Sequence, residues 1–271
     1  MVGKSSENVQ KNIDLEEKII LLNKRIKELS NEKELFLQLA AHELMSPLRK
    51  IAIFANLLES KCNGNIPPEA LNYIQRIRKN ITAMQSIIDD LTSLSSIADT
   101  VSRTCDLNKI LSETLAKLSG PISESNAVIR ICTLPVMEAN SSNMKTLFHN
   151  LLSNSIKFRK QDEMLEINIS CAELTIEEKN NFYIPFENTY YKIKFADNGI
   201  GFNQQQASKI FEPFVQLNGK SEFYGNGLGL SICKKIAELQ GGIIYSESNN
   251  AGSCFTLILP KLANNAHPGE N

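Results

Sequence analysis

Between Leu15 and Leu44 the chain has neither glycine nor proline, and its apolar residues recur in alternating steps of four and three. Leu15, Ile19, Leu22, Ile26, Leu29, Phe36 and Ala40 hold that register, and only Lys33 interrupts it. Such spacing keeps apolar groups on one narrow seam of a helix, and a second helix is the natural partner for a seam. The remaining faces are crowded with Glu and Lys, so a coiled coil is preferred over a lone helix lying on a globular core. It is expected over residues 1–34. The pattern passes Pro47 and continues to about Glu59. The stretch SKCNGNIPPEA, with Gly64, Pro67 and Pro68, then forms a turn. A second run follows at Ile74, Ile77, Ile81, Met84, Ile88 and Leu91. Two helices joined by a short loop make an antiparallel hairpin. One hairpin covers only one side of each stripe, so two copies are expected to pair as a homodimer with a four-helix bundle.

Composition narrows the remaining choices. The 271 residues suffice for two cores, and 42% apolar with 22% charged residues excludes wholesale disorder. Lys plus Arg is 29 against 30 Asp plus Glu, a net charge of −1, which leaves no global basic field for nucleic acid. No apolar run nears the ~18 residues of a membrane span, and the polar start MVGKSSENVQ is no signal peptide. Of six cysteines the nearest two, Cys233 and Cys254, lie 21 positions apart, so zinc and CxxC redox spacings are excluded. Free thiols in a reducing, cytoplasmic compartment are expected. His42, His149 and His267 are too scattered for a metal site.

His42 falls two positions after Ala40, off the seam, and is expected to face solvent or the bundle flank. Pro47 removes the helix bond to the carbonyl of Glu43 and should loosen the helix there. An exposed imidazole titrates near neutrality and can act as a nucleophile, with Glu43 accepting the proton of one ring nitrogen. Alone, a His–Glu pair on a helix is usually a solvated surface feature.

Residues 99–105 (DTVSRTC) read as a linker, and 106–262 as a second domain with a frayed tail over 263–271. Asp106 is expected to cap a helix to about Leu118. Residues 127–132 read as a strand, 141–158 as a helix, and LEINISCAEL and NTYYKIKFADNGIG as β-rich segments. The intervening TIEEKNNFYIPFE reads as a loop or hairpin extension, and Ser208 to Phe214 as a short helix. GLGLSICKKIAELQG reads as a helix stopped at Gly241, followed by a terminal hairpin. The expected fold class is an α helical hairpin followed by an α/β sandwich with helices on one face of a mixed or antiparallel sheet.

Four constellations in this half carry possible chemistry. In NLLSNSIKF, Asn150 and Asn154 share a helix face that Lys157 can join; an amide oxygen can complete a magnesium shell and a lysine can neutralise a phosphate. In DNGIG, Asp197 can accept a hydrogen bond from an amine while Gly199 and Gly201 let the backbone approach a ligand. The phenylalanines of FEPF, Phe211 and Phe214, read chiefly as core. In GNGLGL, Gly225, Gly227 and Gly229 expose backbone N–H groups at a helix N-terminus, where phosphate oxygens can bind. The pattern fits neither the P-loop nor the Rossmann fingerprint.

The order HELMSPL, NLLSNSIKF, DNGIGF, FEPF, GNGLGL resembles the histidine kinases of two-component signalling, from about residue 30 to 260. FVQLNGKSEFYGNGLGLSICKKIAELQGG is similar to the phytochrome-like soluble type. The resemblance implies a dimerisation and phosphoacceptor domain over 35–98 and an ATP-binding domain related to chaperone and mismatch-repair ATPases. It implies His42 as the phosphorylated residue, Glu43 as general base, Asn154 as the Mg2+ ligand with Asn150 beside it, and Lys157 as a phosphate contact. Asp197 would read adenine, with Gly199 and Gly201 shaping that pocket. Gly225, Gly227, Gly229 and Leu230 would lie beside the phosphates, and residues 215–226 would form a lid.

The implied activity is ATP-dependent autophosphorylation of His42 and transfer to an Asp of a response-regulator receiver domain. The implied partners are a second copy, that receiver and an upstream sensory domain outside this chain. A non-catalytic nucleotide-binding dimeric scaffold and a chaperone-type ATPase are the other readings; HELMSP on a helical hairpin argues against the last.

Overall fold

A single helix, α1 (Val2–Lys61), contains the whole first repeat and stays unbroken across Pro47. The proline costs the helix one N–H, that opposite the Glu43 carbonyl, and the flanking turns hold. The second helix, α2 (Pro68–Ser96), opens on a proline, whose missing N–H is no loss at a first helical position. The computed structural model describes residues 2–61, 66–97, 103–185, 188–217, 227–249 and 251–261, and it divides into two compact units, 1–96 and 97–271. The side chains of Leu15, Ile26, Lys33 and Phe36 lie outside the described residues.

Within the hairpin each apolar stripe splits in two. Ala41, Leu48 and Ala55, seven apart on α1, are buried, as are Ile74, Ile81 and Ile88, seven apart on α2. Ala41, Leu48, Ile81 and Ile88 form one cluster, flanked by Met45 and Ala52. The alternate positions, Leu44, Ile51 and Leu58 on α1 and Ile77 and Met84 on α2, remain exposed. Arg78 pairs with Glu59 at 3.0 Å across the two helices.

The second unit begins with β1 (Arg103–Asp106), α3 (Leu107–Lys117), α4 (Ser119–Glu124), β2 (Val128–Ile131) and β3 (Val136–Ala139). Then come α5 (Ser141–Lys157), β4 (Glu166–Glu173), α6 (Ile176–Asn181) and β5 (Tyr190–Asp197). Two 3-10 turns, Gln204–Gln206 and Lys209–Phe211, precede α7 (Gly229–Leu239), β6 (Ile243–Asn249) and β7 (Gly252–Pro260). The main sheet runs β2-β4-β5-β7-β6, with β2 parallel to β4 and the rest antiparallel. Ile167, Ile169, Ile193, Phe195 and Leu257 are fully buried, as are Leu147, Phe148 and Leu151 of α5 and Ile236 of α7. The Phe148 and Phe195 rings lie 5.3 Å apart. This is the mixed sheet with a helical layer that the periodicities imply.

Several local expectations give way. Residues 103–105 of the expected linker belong to β1, which pairs with β3 in a small second sheet, Arg103 opposite Ala139. The segment expected as a loop or hairpin extension, TIEEKNNFYIPFE, contains α6, fixed by a capping box between Thr175 and Glu178. Its neighbours Leu174, Phe182 and Ile184 pack with Tyr190, Tyr245 and Ile258. Tyr190 and Ile258 alternate with the core-facing Ile193 and Leu257, so this satellite core covers the opposite sheet face. The helix expected over 208–214 is a 3-10 turn at 209–211 that ends where Glu212 turns extended before Pro213.

Candidate functional site

His42 projects from the exposed flank of α1, with 84% of its side-chain surface free, and Glu43 is equally exposed. Glu43 Oε1 lies 3.7 Å from His42 Nδ1, which leaves Nε2 unencumbered by it. The position follows from the heptad: Ala41 and Met45 turn inward and Leu44 lies on the second stripe, so His42 sits beside both.

In the second unit α5 is the spine of the site. Asn140 caps its first turn, its Oδ1 accepting the N–H of Ser142 at 2.9 Å and of Asn143 at 3.1 Å. Asn150 ties α5 to the start of α7: its Nδ2 donates to the Gly229 carbonyl at 3.2 Å. Cys233, fully buried on α7, donates to the Leu147 carbonyl of α5 at 3.8 Å, and burial pushes its thiol up to about 12. Asn154, one turn further on the same face, is half-buried and its side chain has no hydrogen-bond partner among the described residues. Lys157 closes the helix; its Nζ lies 4.5 Å from the Phe158 ring centroid, and burial lowers the ammonium below the usual lysine range. No carboxylate lies within ion-pair distance of it among the described residues. An amide without a partner and a desolvated ammonium without a counter-ion fit a phosphate-bound cation and its phosphates.

Asp197 ends β5, where its neighbours across the sheet are Ile167 of β4 and Ser253 of β7. Its Oδ1 accepts the Gly199 N–H at 3.0 Å, and its Oδ2 accepts the hydroxyls of Ser253 at 2.8 Å and Ser155 at 3.0 Å. Gly199 approaches α5 closely: a Cβ there would stand 2.6 Å from the Phe158 carbonyl, which accepts the Ile200 N–H at 3.0 Å. Gly201 continues the turn, and Ser248 holds the next residue by accepting the Phe202 N–H at 2.8 Å.

Gly227 takes φ +69°, a left-handed conformation that favours glycine, and its carbonyl accepts the N–H of Phe214 at 2.9 Å. The FEPF phenylalanines accordingly part company: Phe211 is buried edge-on to Phe255, whereas Phe214 is exposed. Gly229 and Leu230 lie in the first turn of α7, where N–H groups have no helical partner. Gly225 and residues 218–226 of the expected lid lie outside the described residues.

Asn150, Asn154, Lys157, Asp197, Gly199, Gly201, Gly227, Gly229 and Leu230 thus all belong to the second unit, while His42 and Glu43 belong to the first. Ser155, Ser248, Ser253 and Cys233 escaped the sequence reading. Ser155 stood inside a motif already singled out, but serine signals no role until its partner, 42 positions away, is known.

Two family models match in succession. Residues 32–100 match the His Kinase A (phospho-acceptor) domain, and residues 139–263 match the histidine kinase-, DNA gyrase B- and HSP90-like ATPase domain. The chain belongs to the sensor histidine kinases and holds the catalytic core of one. It is 33% identical over 233 residues to cyanobacterial phytochrome A of Nostoc sp., covering 84% of this chain and 28% of that protein. It is 28% identical over 247 residues to the phytochrome-like protein Cph1 of Synechocystis sp., covering 90% of this chain and 31% of that protein. The chain therefore spans under a third of the length of these relatives. Among solved structures, full-length ShkA in complex with AMPPNP aligns with a TM-score of 0.60 at 22% identity, over 83% of this chain and 45% of that one. Histidine kinase ThkA in complex with response regulator protein TrrA aligns with a TM-score of 0.56 at 20% identity, over 87% and 65%. These two show the same fold. No described helix is long and apolar enough to cross a membrane.

Proposed function

We propose that this chain is an ATP-dependent protein histidine kinase that phosphorylates His42 and passes the phosphoryl group to an aspartate of a receiver domain. The observation that carries the proposal is the presence, on one chain, of a fully presented imidazole with an adjacent carboxylate and a separate unit with a buried-edge Asp197 and an uncompensated Lys157. In the proposed step the Nε2 lone pair of His42 attacks the γ-phosphorus, the bond to the β–γ bridging oxygen breaks, and ADP leaves. Glu43 takes up the proton that Nδ1 must release as the phosphoimidazole neutralises. Asn154 would hold Mg2+, which supplies charge neutralisation when bound, and Lys157 would contact the phosphates. Asp197 would accept the adenine amine, with Gly199 and Gly201 forming that pocket's wall. Gly225, Gly227, Gly229 and Leu230 would border the phosphates, where the N-terminus of α7 favours anions.

The exposed second stripes of α1 and α2 support a homodimer, and the ThkA–TrrA complex supports a response regulator as the receiving partner. Incubation with radiolabelled ATP and Mg2+ is expected to label the protein with an acid-labile, base-stable phosphate that His42→Gln abolishes. Label that persists in His42→Gln would exclude His42 as acceptor. Tight ATP binding with no phosphohistidine in the unaltered protein would leave a nucleotide-binding scaffold instead.

A further inference from the structure

A cleft of about 850 Å3 lies between α3, the first turn of α5 and the β1–β3 sheet, a volume within the range of small-molecule sites. Its floor is apolar: Ile110 and Ala139 are buried there together with Cys105. The Cys105 thiol donates to the Ala139 carbonyl at 3.2 Å, and burial raises it above the ordinary cysteine value, so it stays neutral. Charge is carried by the walls, where three cations, Arg103, Lys109 and Lys145, meet two carboxylates, Asp106 and Glu113, a net charge of +1. Both carboxylates are already engaged. Asp106 Oδ1 accepts the Asn108 N–H and side-chain amide, each at 2.9 Å, and Glu113 pairs with Lys145 at 2.7 Å. Arg103 and Lys109 form no ion pair among the described residues. At the α5 end of the cleft, Asn140 takes the N–H groups of Ser142 and Asn143, and the Ser141 N–H adds the positive end of the helix dipole.

We infer that this cleft is a second ligand site, for a small organic monoanion: a carboxylate held by Arg103 and Lys109, on an apolar body that rests on Ile110 and Ala139. The uncharged floor takes the body by burial of apolar surface, and the two uncommitted cations take the head by charge-assisted hydrogen bonds. A neutral molecule gains nothing from those cations. A dianion brings one more negative charge than the walls offset, next to Asp106 and Glu113. The site is distinct from the proposed nucleotide site. Ser141 and Asn154 are thirteen residues apart on α5 (141 to 154), about 20 Å along the helix axis. None of Asn150, Asn154, Lys157 and Asp197 lines the cleft. The inference therefore does not depend on the ATP reading.

The test is titration of the isotope-labelled full chain with cinnamate, an aromatic monocarboxylate, followed by backbone amide NMR shifts. Cinnamate is expected to bind with a Kd below about 1 mM, with shifts centred on residues 103–113 and 139–145. Cinnamamide, its uncharged counterpart, should bind the unaltered chain about tenfold more weakly or worse, the scale of one lost charge-assisted hydrogen bond. Arg103→Gln combined with Lys109→Gln should weaken cinnamate by a similar factor. Saturating ATP with Mg2+ should leave cinnamate binding unchanged. The inference is overturned by no shift at about 1 mM, by shifts centred on the hairpin, or by displacement with ATP. Equal affinity for the acid and the amide overturns it as well, and so does a double variant that binds cinnamate like the unaltered protein. The amide comparison uses the unaltered chain, so it decides the matter even where the double variant misfolds.

Discussion

In the α/β unit the side chains at the centre of the core have left the solvent: Phe148, Phe195 and Leu147 are all 0% exposed. In the hairpin, Ile20, Leu22, Ile51, Phe54 and Leu58 keep between 47% and 67% of their surface. The α/β unit closes its core with its own chain, through two helices on one sheet face and the α6 segment on the other. The hairpin closes half of each stripe, and closes it partly with small residues, since Ala41 and Ala52 join Leu48 in packing with Ile81 and Ile88 of α2. The difference assigns each unit its own kind of stability. A closed core has a free energy independent of protein concentration, whereas a half-closed one would gain its remainder from the proposed second copy by mass action.

The sharpest way to break this contrast is inside the closed core. Phe148→Ala removes a fully buried ring tilted against that of Phe195 and should cost the α/β unit about 3–5 kcal/mol, the range for truncating buried aromatic residues. Its thermal transition should fall by several degrees and stay independent of protein concentration. A transition that moves with dilution would mean that this unit, too, leans on a partner.

A smaller effect is expected at the open stripes. Ile51→Lys with Ile77→Lys places two ammonium groups where the proposed dimer buries apolar surface, while leaving the inner cluster of Ala41, Leu48, Ile81 and Ile88 untouched. Burying unpaired charge is costly, and the dimer dissociation constant should rise by about 100-fold or more, some 2.7 kcal/mol. Sedimentation equilibrium measures it. An unchanged constant would move the interface off these stripes, and the exposed positions would need another explanation.

The same contrast governs what the sequence discloses. The hairpin is legible because its repeat is long: sixty residues give the heptad many turns in which to declare itself. Even so, periodicity merges two stripes into one, and only packing separates Ile74, Ile81 and Ile88 from Ile77 and Met84. In the α/β unit the long elements are equally plain, down to the Asp106 cap and the Gly241 stop. The failures are short. β1 and β3 have four residues each, too few for alternation to register, and they pair across thirty positions of chain. α6 spans six residues, and its one clear signal, the T-x-x-E capping box, marks a start without promising a length. At the site, the motifs place Asp197 and the asparagines, but which atoms each side chain engages is a long-range matter. Asn150 turns out to fasten α7 to α5, and the two serines on Asp197 come from segments 98 positions apart (155 to 253).

The smallest expected effect lies on the outer sheet face, where α6 is held partly by charge. The Glu178 carboxylate accepts a hydrogen bond from Lys192 on β5, and also the N–H and hydroxyl of Thr175 at 3.0 and 3.2 Å. The Lys192 bond, foremost, holds Glu178 below the usual glutamate range. A carboxyl whose folded-state pKa is depressed contributes stability that is fully present above its unfolded value and is lost as pH falls through the folded one. Glu178→Gln should therefore cost about 1 kcal/mol near neutrality, the upper end for a pair at the surface. The cost should shrink toward zero once acid has protonated the native glutamate. Urea unfolding of both proteins at neutral pH and below about pH 4, the glutamate range, measures the two gaps. A gap that persists in acid would show that Glu178 contributes through something other than its charge.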